Sequence, residues 1–386
     1  MTTILASASP GERRIVLLDH DDRIVEFHVE RPGRPDGVGD LHHARVSALA
    51  PAMAGAFLAM AGGETGFLPE SAVGPPRQSI ARSVSEGQLL AVRVTRAAQG
   101  GKGPRLTARL TPAEAARAAA APPGGPALLA RGPEAALRLA RAHPEAAIRT
   151  DSAPLAARLR GSLGPARVTL SHSPVLEDAL EAELDQFAGA EVPLSGGGRL
   201  LIHPTPALTA IDVDAGSAAG GRDPQAQLRL NQAAVAEAAR QIRLRNLAGP
   251  ILLDLAGLTV KRREALAGPL RQALAADPLV QLRGIGPLGL LEMLRQRIHP
   301  PLHEVLGWPP SPLTHGLAAL RRAAREAAAR PGRRWALRAA PAVIAALRDL
   351  PGALAEAEAA IGTPLQLLTE PGRSPAQAEI EEAPHG

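Results

Sequence analysis

Asp212-Val213-Asp214 closes the β-rich run GRLLIHPTPALTAIDVD, and Asp254 closes a second apolar run, PILLDL at 250–255. Residues i and i+2 of a strand point to the same face, so the Asp212 and Asp214 carboxylates face one way. If the two strands are parallel neighbours, their carboxyl ends bring all three carboxylates together. Such a group repels itself unless a hard divalent cation sits among it, and Mg²⁺, with oxygen ligands and retained waters, is the natural occupant (Mn²⁺ is compatible). A cation held this way activates water and offsets the charge that builds on a phosphodiester. Acidic residues at strand ends also cap helices or simply face water, so the spacing alone leaves both readings open.

The elements that must position these residues are legible around them. Between the two runs, Asp223 and Pro224 have the residue types of an N-cap and first helical position. The helix they open is expected to run to about Leu247. Arg240, Arg243 and Arg245 lie near its negative end, and Gly249 follows. A second helix over 261–275 and a strand over 279–283 extend this strand–helix–strand unit. Upstream, RIVLLD and RIVEFHVE within 14–30 read as two strands joined by the acidic turn Asp19–Asp22, with Val25, Phe27 and Val29 on one face. From 38 to 110 short β runs are punctuated by Gly and Pro, and five or so strands in that space suit an OB-type barrel.

Phe57 and Phe67 flank the barrel's Gly-rich turn at 62–66. On the open face of such a barrel aromatics stack on single-stranded bases, whereas inside it they are core. Lys102, in QGGKGPR, belongs to a basic loop that either meets a phosphate or is a solvated turn. Beyond the barrel, Thr111, Pro112 and Glu114 carry the signature of a capped helix start, and a second arginine-rich helix is expected near 132–142. After 312 the chain reads as alanine-rich helix, then a strand, PLQLLTEP at 364–371, then a polar tail.

Composition narrows the classes. The chain has 386 residues, no cysteine, no tyrosine and a formal charge of +5. Lys102 and Lys261 are its lysines, so the basic side is nearly all arginine. Without cysteine there is no disulfide framework, thiolate zinc site, iron–sulfur cluster or cysteine nucleophile. Arg, Pro, Gly or Asp interrupts every apolar run before membrane-spanning length, so no membrane partner is expected. The start, MTTILASASPGERR, is too short and polar for a secretory signal, and a cytoplasmic location is expected. A net +5 permits polyanion binding without demanding it. GGGR at 196–199 and GGR at 220–222 lack P-loop or dinucleotide patterns. His299 and His303 are separated by Pro300 and Pro301, which breaks the helical face a metal pair needs. His42 and His43 are expected to point one in and one out of a strand.

The run ALTAIDVDAG…GGRD…N…EAARQIRLRNLAGPILLDL, followed by GPLGLLEMLRQRIHPPL, resembles the catalytic region of the ribonuclease E/G family. GLLEMLRQR at 289–297 is close to a family signature. VGDLHHARVSALAPAMAGAFLAMAGGETGFLPES is similar to the family's S1-like barrel, and AEAEAAIGTPLQLLTEP to its small terminal domain. About 113–195 is much shortened. The resemblance implies a mixed α/β (α+β) fold with an RNase H-like N-terminal part over 1–37 and an inserted S1-like OB barrel over 38–110. A shortened RNase H-like and 5′-sensor region follows over 111–197. A DNase I-like catalytic subdomain over 198–305 and a small C-terminal α/β domain over 312–386 complete it.

It further implies a metal-dependent endoribonuclease that cuts single-stranded, A/U-rich RNA to 5′-monophosphate products in rRNA maturation or mRNA decay. Asp212 and Asp254 fall on the two metal-holding catalytic aspartates. Asp214 takes the place of an asparagine that orients the attacked phosphate or its water. Phe57, Phe67 and Lys102 fall on RNA-contacting positions, and Arg149 and Thr150 on a motif that senses the 5′-monophosphate. There are departures. Asp214 adds a third negative charge, Gly257 stands where the family has a second acid, and Asp151 follows the sensor pair. The cysteines through which family members share a zinc are missing, so any homo-oligomer forms without a zinc link. The alternative is an RNA-binding protein that kept the fold and lost turnover. An assembly factor acting through its alanine- and arginine-rich helices is a third reading.

Overall fold

Alternating apolar residues and a tight glycine turn build the first sheet. β1 (Thr3–Ser9), β2 (Glu12–Leu18) and β3 (Ile24–Glu30) form an antiparallel meander. Gly11 turns β1 into β2 at φ +72, and a Cβ there would lie 2.8 Å from Leu317, so only glycine fits. The computed structural model describes residues 2–74, 78–122, 124–216 and 224–383.

The next strands close into a barrel. They are β4 (Leu41–Ala50), β5 (Gly55–Ala59) and β6 (Thr65–Pro69), then β7 (Leu89–Arg96) and β8 (Arg105–Thr107) after the single turn α1 (Ile80–Ser83). Pairing runs β5-β6-β8-β7-β4, and β4 pairs back with β5, which closes five strands into a ring compatible with an S1/OB-like fold. Ala44, Val46, Leu58, Leu68, Val92 and Leu106 fill it. His42 is buried and His43 half-exposed on β4, as alternation requires. α2 (Pro112–Ala119) starts with the expected capping box, in which the Glu114 N–H donates to Thr111 and the Thr111 N–H to Glu114. β9 (Ala127–Ala130) then adds to β4. Asp36–Glu134 and Arg297–Pro300 form one compact unit, and Met1–Pro35, Ala135–Gln296 and Pro301–Gly386 the other. Within the barrel unit the chain entering at Gly39 touches the chain leaving at Gly132, and the Gly132 N–H donates to Asp40 at 2.7 Å.

After the barrel the chain returns to the first sheet. α3 (Ala135–Ala142), β10 (Ala147–Thr150), α4 (Ala153–Leu163) and β11 (Val168–Leu170) add parallel strands in the order β11-β10-β1-β2-β3, and α5 (Asp178–Gln186) follows.

A six-stranded mixed sheet comes next. It contains β12 (Glu191–Pro193), β13 (Arg199–Pro204) and β14 (Thr209–Asp214), then α6 (Pro224–Leu244) and β15 (Gly249–Asp254). α7 (Val260–Glu264) and α8 (Ala267–Leu274) precede β16 (Val280–Ile285) and β17 (Leu291–Arg295), and the strand order is β12-β13-β14-β15-β17-β16. α6 and α8 pack on one face through Leu230, Ala234, Val235, Ala238, Leu270 and Leu274. The expected cap Asp223 lies outside the described residues. The helix expected over 261–275 is two short ones, because Pro269 has no N–H to donate to the Ala265 carbonyl and its ring crowds the preceding turn.

At the C-terminus α9 (Leu302–Leu306) leads to α10 (Pro312–Ala329), β18 (Trp335–Ala339), α11 (Pro341–Asp349), α12 (Ala353–Ile361), β19 (Gln366–Thr369) and β20 (Glu379–Glu382). The tail read as merely polar thus contains a strand, held against β18 by Arg338, which donates to Glu381 at 2.6 Å. Buried charges tie this region to the first sheet. Glu12 accepts from Arg31 and Arg321, while Glu181 accepts from Arg14 and from Arg325 at 2.9 Å. Among the described residues no helix is long and apolar enough to cross a membrane.

Candidate functional site

β14 and β15 are parallel neighbours, and Asp212 is the direct Cα partner of Asp254. Thr209, Ile211 and Val213 point into the core beneath α6, which leaves Ala210, Asp212 and Asp214 on the opposite face. Ile251 and Leu253 are buried by the same alternation, so Asp254 shares the face of Asp212. Two carboxylates therefore stand side by side, about 5 Å apart at the backbone, at the carboxyl ends of adjacent strands.

Their surroundings differ. The Asp212 side chain is exposed and makes no hydrogen bond or ion pair among the described residues. Asp254 is half exposed, and its Oδ1 accepts from Arg263 Nη1 at 2.7 Å. Arg263 is itself fixed by three carbonyls, donating to Leu255 at 2.7 Å, Gly289 at 2.8 Å and Leu258 at 3.0 Å. One guanidinium thus staples the loop after β15 and holds one oxygen of Asp254. From α6, the fully buried Asn231 completes the clamp. Its Nδ2 donates to the Gln227 and Ala256 carbonyls, and its Oδ1 accepts from the Ala256 N–H at 3.0 Å. Asn231→Leu strands the Ala256 N–H and C=O, and is expected to lower unfolding free energy by about 1–3 kcal/mol in a urea titration. An unchanged midpoint would show that water replaces the amide without loss.

Asp214 shares the face but is engaged elsewhere. Its carboxylate accepts from Arg199 Nε and Nη2 at 2.9 Å and from the Gly216 N–H at 2.9 Å. The Gly216 bond, then Arg199, holds this carboxyl below its usual range. Arg199 also bonds Glu191 at 2.9 Å. Asp212 and Asp254 therefore come together, and the extra charge of Asp214 is answered by a guanidinium. Among the described residues, the acidic group with three ligand atoms within 4.8 Å of one another is the exposed turn Asp19, His20 and Asp21. Gly257 has a positive φ, +58, and a Cβ there would fall 1.8 Å from Gln227 Nε2, so an acidic residue at that position would strain the backbone and displace the Gln227 side chain.

The donor set at Asp212 and Asp254 is all oxygen and solvent-facing, and among the described residues one of its four carboxylate oxygens accepts a protein hydrogen bond. That suits a hard cation such as Mg²⁺, which binds through one or two carboxylates and keeps several waters.

In the barrel, Phe57 and Phe67 are direct partners across β5 and β6, with ring centroids 5.5 Å apart and planes at 60°. Both are half-buried and stand outside the barrel core, whose β5 and β6 members are Ala56, Leu58 and Leu68. Lys102 is exposed at the end of a tight turn in which the Gln99 and Lys102 backbones bond each other. Gly100 and Gly101 supply the positive φ values of that turn. In β10, Arg149 is exposed, whereas Thr150 is fully buried and its hydroxyl accepts from the Ser152 N–H. The Asp151 carboxylate is consumed by the Ser7 hydroxyl at 2.8 Å and the Ala8 and Val175 N–H groups. His299 pairs with Asp36 at 2.6 Å.

Sequence reasoning missed Arg199, Arg263 and the clamp made by Asn231. For Arg199 a signal existed. The two-residue turn between Thr205 and Leu208 sets the β13–β14 register and puts Arg199 opposite Asp214. Arg263 and Asn231 act on backbone carbonyls, which leave no trace in residue types.

Residues 165–298 match the family model described as Ribonuclease E/G family. The Escherichia coli (strain K12) protein named Ribonuclease E is 39% identical over 128 residues, covering 32% of this chain and 12% of that protein. Salmonella typhimurium Ribonuclease G is 32% identical over 216 residues, covering 52% of this chain and 44% of that protein. Escherichia coli (strain K12) Ribonuclease G is 25% identical over an alignment of 477 residues, covering 95% of this chain and 97% of that protein. Against the first two, the match spans less than half the relative's length.

Proposed function

Since residues 165–298 match the Ribonuclease E/G family model, we propose that this chain is an endoribonuclease of that family whose hydrolytic centre is the Asp212–Asp254 pair. The observation that carries this reading is their direct pairing on the open face of parallel strands. On the same reading the β11-β10-β1-β2-β3 sheet is the RNase H-like part and the β12–β17 sheet the DNase I-like part. The substrate is single-stranded, A/U-rich RNA, the products carry 5′-monophosphates, and the setting is rRNA maturation or mRNA decay in the cytoplasm.

Asp212 and Asp254 would hold Mg²⁺, which when bound supplies charge neutralisation and a more acidic water. Asp212, whose side chain has no partner among the described residues, offers both oxygens. Asp254 offers the oxygen Arg263 leaves, and Arg263 fixes its direction. Arg199, neutralising Asp214, keeps the approach to the face from repelling a phosphodiester. Phe57 and Phe67 offer ring faces to unpaired bases, Lys102 a charge for the backbone, and Arg149, with Thr150 behind it, a cation for a 5′-phosphate. Incubating the full chain with a 5′-monophosphorylated A/U-rich oligoribonucleotide and Mg²⁺ or Mn²⁺ is expected to give internal cuts with 5′-phosphate ends. RNA binding without a cut would return the chain to the reading of a binder that lost turnover.

That alternative drew its force from Asp214, and Arg199 weakens it. Arg199→Ala leaves the Asp214 carboxylate uncompensated beside the site, and is expected to lower kcat/KM roughly tenfold, about 1.4 kcal/mol. Adding Asp214→Asn should restore most of that loss, as a coupled pair does. Additive effects in the four-protein cycle would sink the compensation.

A further inference from the structure

A single row of residues crosses four strands of the barrel. Arg96 on β7 is the Cα partner of Arg105 on β8, Arg105 of Phe67 on β6, and Phe67 of Phe57 on β5. Direct partners share a face, and all four side chains are half-buried, whereas Val94, Leu106, Leu68 and Leu58 of the same strands are buried in the barrel. The register shift between Val94 and Arg96 is what sets Arg96 against Arg105.

Two guanidinium groups directly opposite each other are unfavourable in a sheet. Among the described residues nothing of opposite sign pairs with them. Neither Arg96 nor Arg105 makes an ion pair among the described residues, although Arg93, on the same strand as Arg96, has Glu114 at 2.9 Å. Arg96 Nε is buried without a hydrogen-bond partner. Burial first, then the charges of Arg105 and Arg297, hold the Arg96 guanidinium below its usual range. The fold thus keeps a concentrated positive charge with spare donors next to a pair of aromatic rings.

We propose that Arg96 and Arg105 form a phosphate subsite for single-stranded RNA, continuous with the Phe67–Phe57 stacking pair, so that one transverse row grips backbone and bases together. This rests on the reading of the barrel as RNA-binding and adds to it a site for the phosphodiester. Arginine is the fitting residue, because its planar fork donates two parallel hydrogen bonds to phosphate oxygens. Lys102 lies on the turn that joins these two strands, within the same basic edge.

The test uses the full chain, an A/U-rich single-stranded oligoribonucleotide and chelator to prevent cleavage. In the Arg96→Gln/Arg105→Gln protein, the slope of log affinity against log salt should become shallower by about 1.4, at about 0.7 per phosphate contact. Arg105→Lys should keep the contact and the slope. Phe57→Ala should weaken binding roughly 5- to 140-fold, the range for one lost stacking contact, and leave the slope unchanged. Without RNA, the double glutamine variant should melt no lower than the unmutated protein, since a like-charge pair has been removed. An unchanged slope with an effect of Phe57→Ala overturns the phosphate subsite and leaves the barrel reading standing. No effect of either change overturns both. A lowered melting temperature makes the arginines structural and ends the proposal.

Discussion

Asp212→Asn and Asp254→Asn are each expected to lower RNA cleavage by roughly a thousandfold or more, about 4 kcal/mol of transition-state stabilisation. Each removes half the negative charge that would hold the cation and leaves an amide that binds a hard cation poorly. RNA affinity measured with chelator should stay unchanged, because the stacking and phosphate groups are untouched. The two variants should differ in stability. Among the described residues the Asp212 side chain has no partner and stands beside the like charge of Asp254, so its replacement should not lower the melting temperature. Asp254 loses a charge-assisted bond at 2.7 Å from a guanidinium fixed by three carbonyls, and its replacement should be destabilising by about 1 kcal/mol at this half-exposed position. Cleavage that survives either change would move the hydrolytic centre elsewhere.

Glu181→Ala is expected to be the most destabilising single change, by about 3–5 kcal/mol in chemical denaturation. Glu181 is the shared carboxylate of Arg14, Arg321 and Arg325, and its side chain is 10% exposed while that of Arg14 is 6% exposed. Removing it leaves a buried guanidinium with Asp185, 71% exposed, as its remaining close acidic partner. Glu181→Gln keeps hydrogen-bond acceptance and should lose less. Because Glu12 bridges Arg31 and Arg321 in the same cluster, Glu12→Ala should not add to Glu181→Ala as an independent change. A loss below about 1 kcal/mol for Glu181→Ala would place the network at the solvent-screened level of surface pairs.

The sequence shows the site better than the frame that holds it. Alternation is local, so the shared face of Asp212 and Asp214 and the capping box at Thr111 follow directly from spacing. Whether two strands are neighbours depends on the whole sheet, and here the helical connection between β14 and β15 makes them so. LEMLR in β17 carries helix-forming residues, yet it is a strand because β15 and β16 bind it from both sides. β1, β18 and β20 were missed for the same reason: their strand state comes from pairing rather than composition. Nothing in the sequence distinguishes Arg14, Arg31 and Arg263 from the other arginines of a basic chain, and only tertiary packing reveals the carboxylate that each is committed to. The aromatics at 57 and 67 stayed open between core and surface until the register put both on the outer row.

The contact between Gly39 and Gly132 brings the two ends of the barrel unit's long segment, Asp36–Glu134, side by side. A Cβ on Gly132 would lie 2.2 Å from the Val38 carbonyl, so the incoming and outgoing chains run against each other at that point. Ends that meet can be cut and rejoined with little change in chain entropy, whatever lies between them. The segment is therefore a cassette in the evolutionary sense, exchangeable for another barrel of different ligand preference without re-routing the sheet that β1 and β10 share.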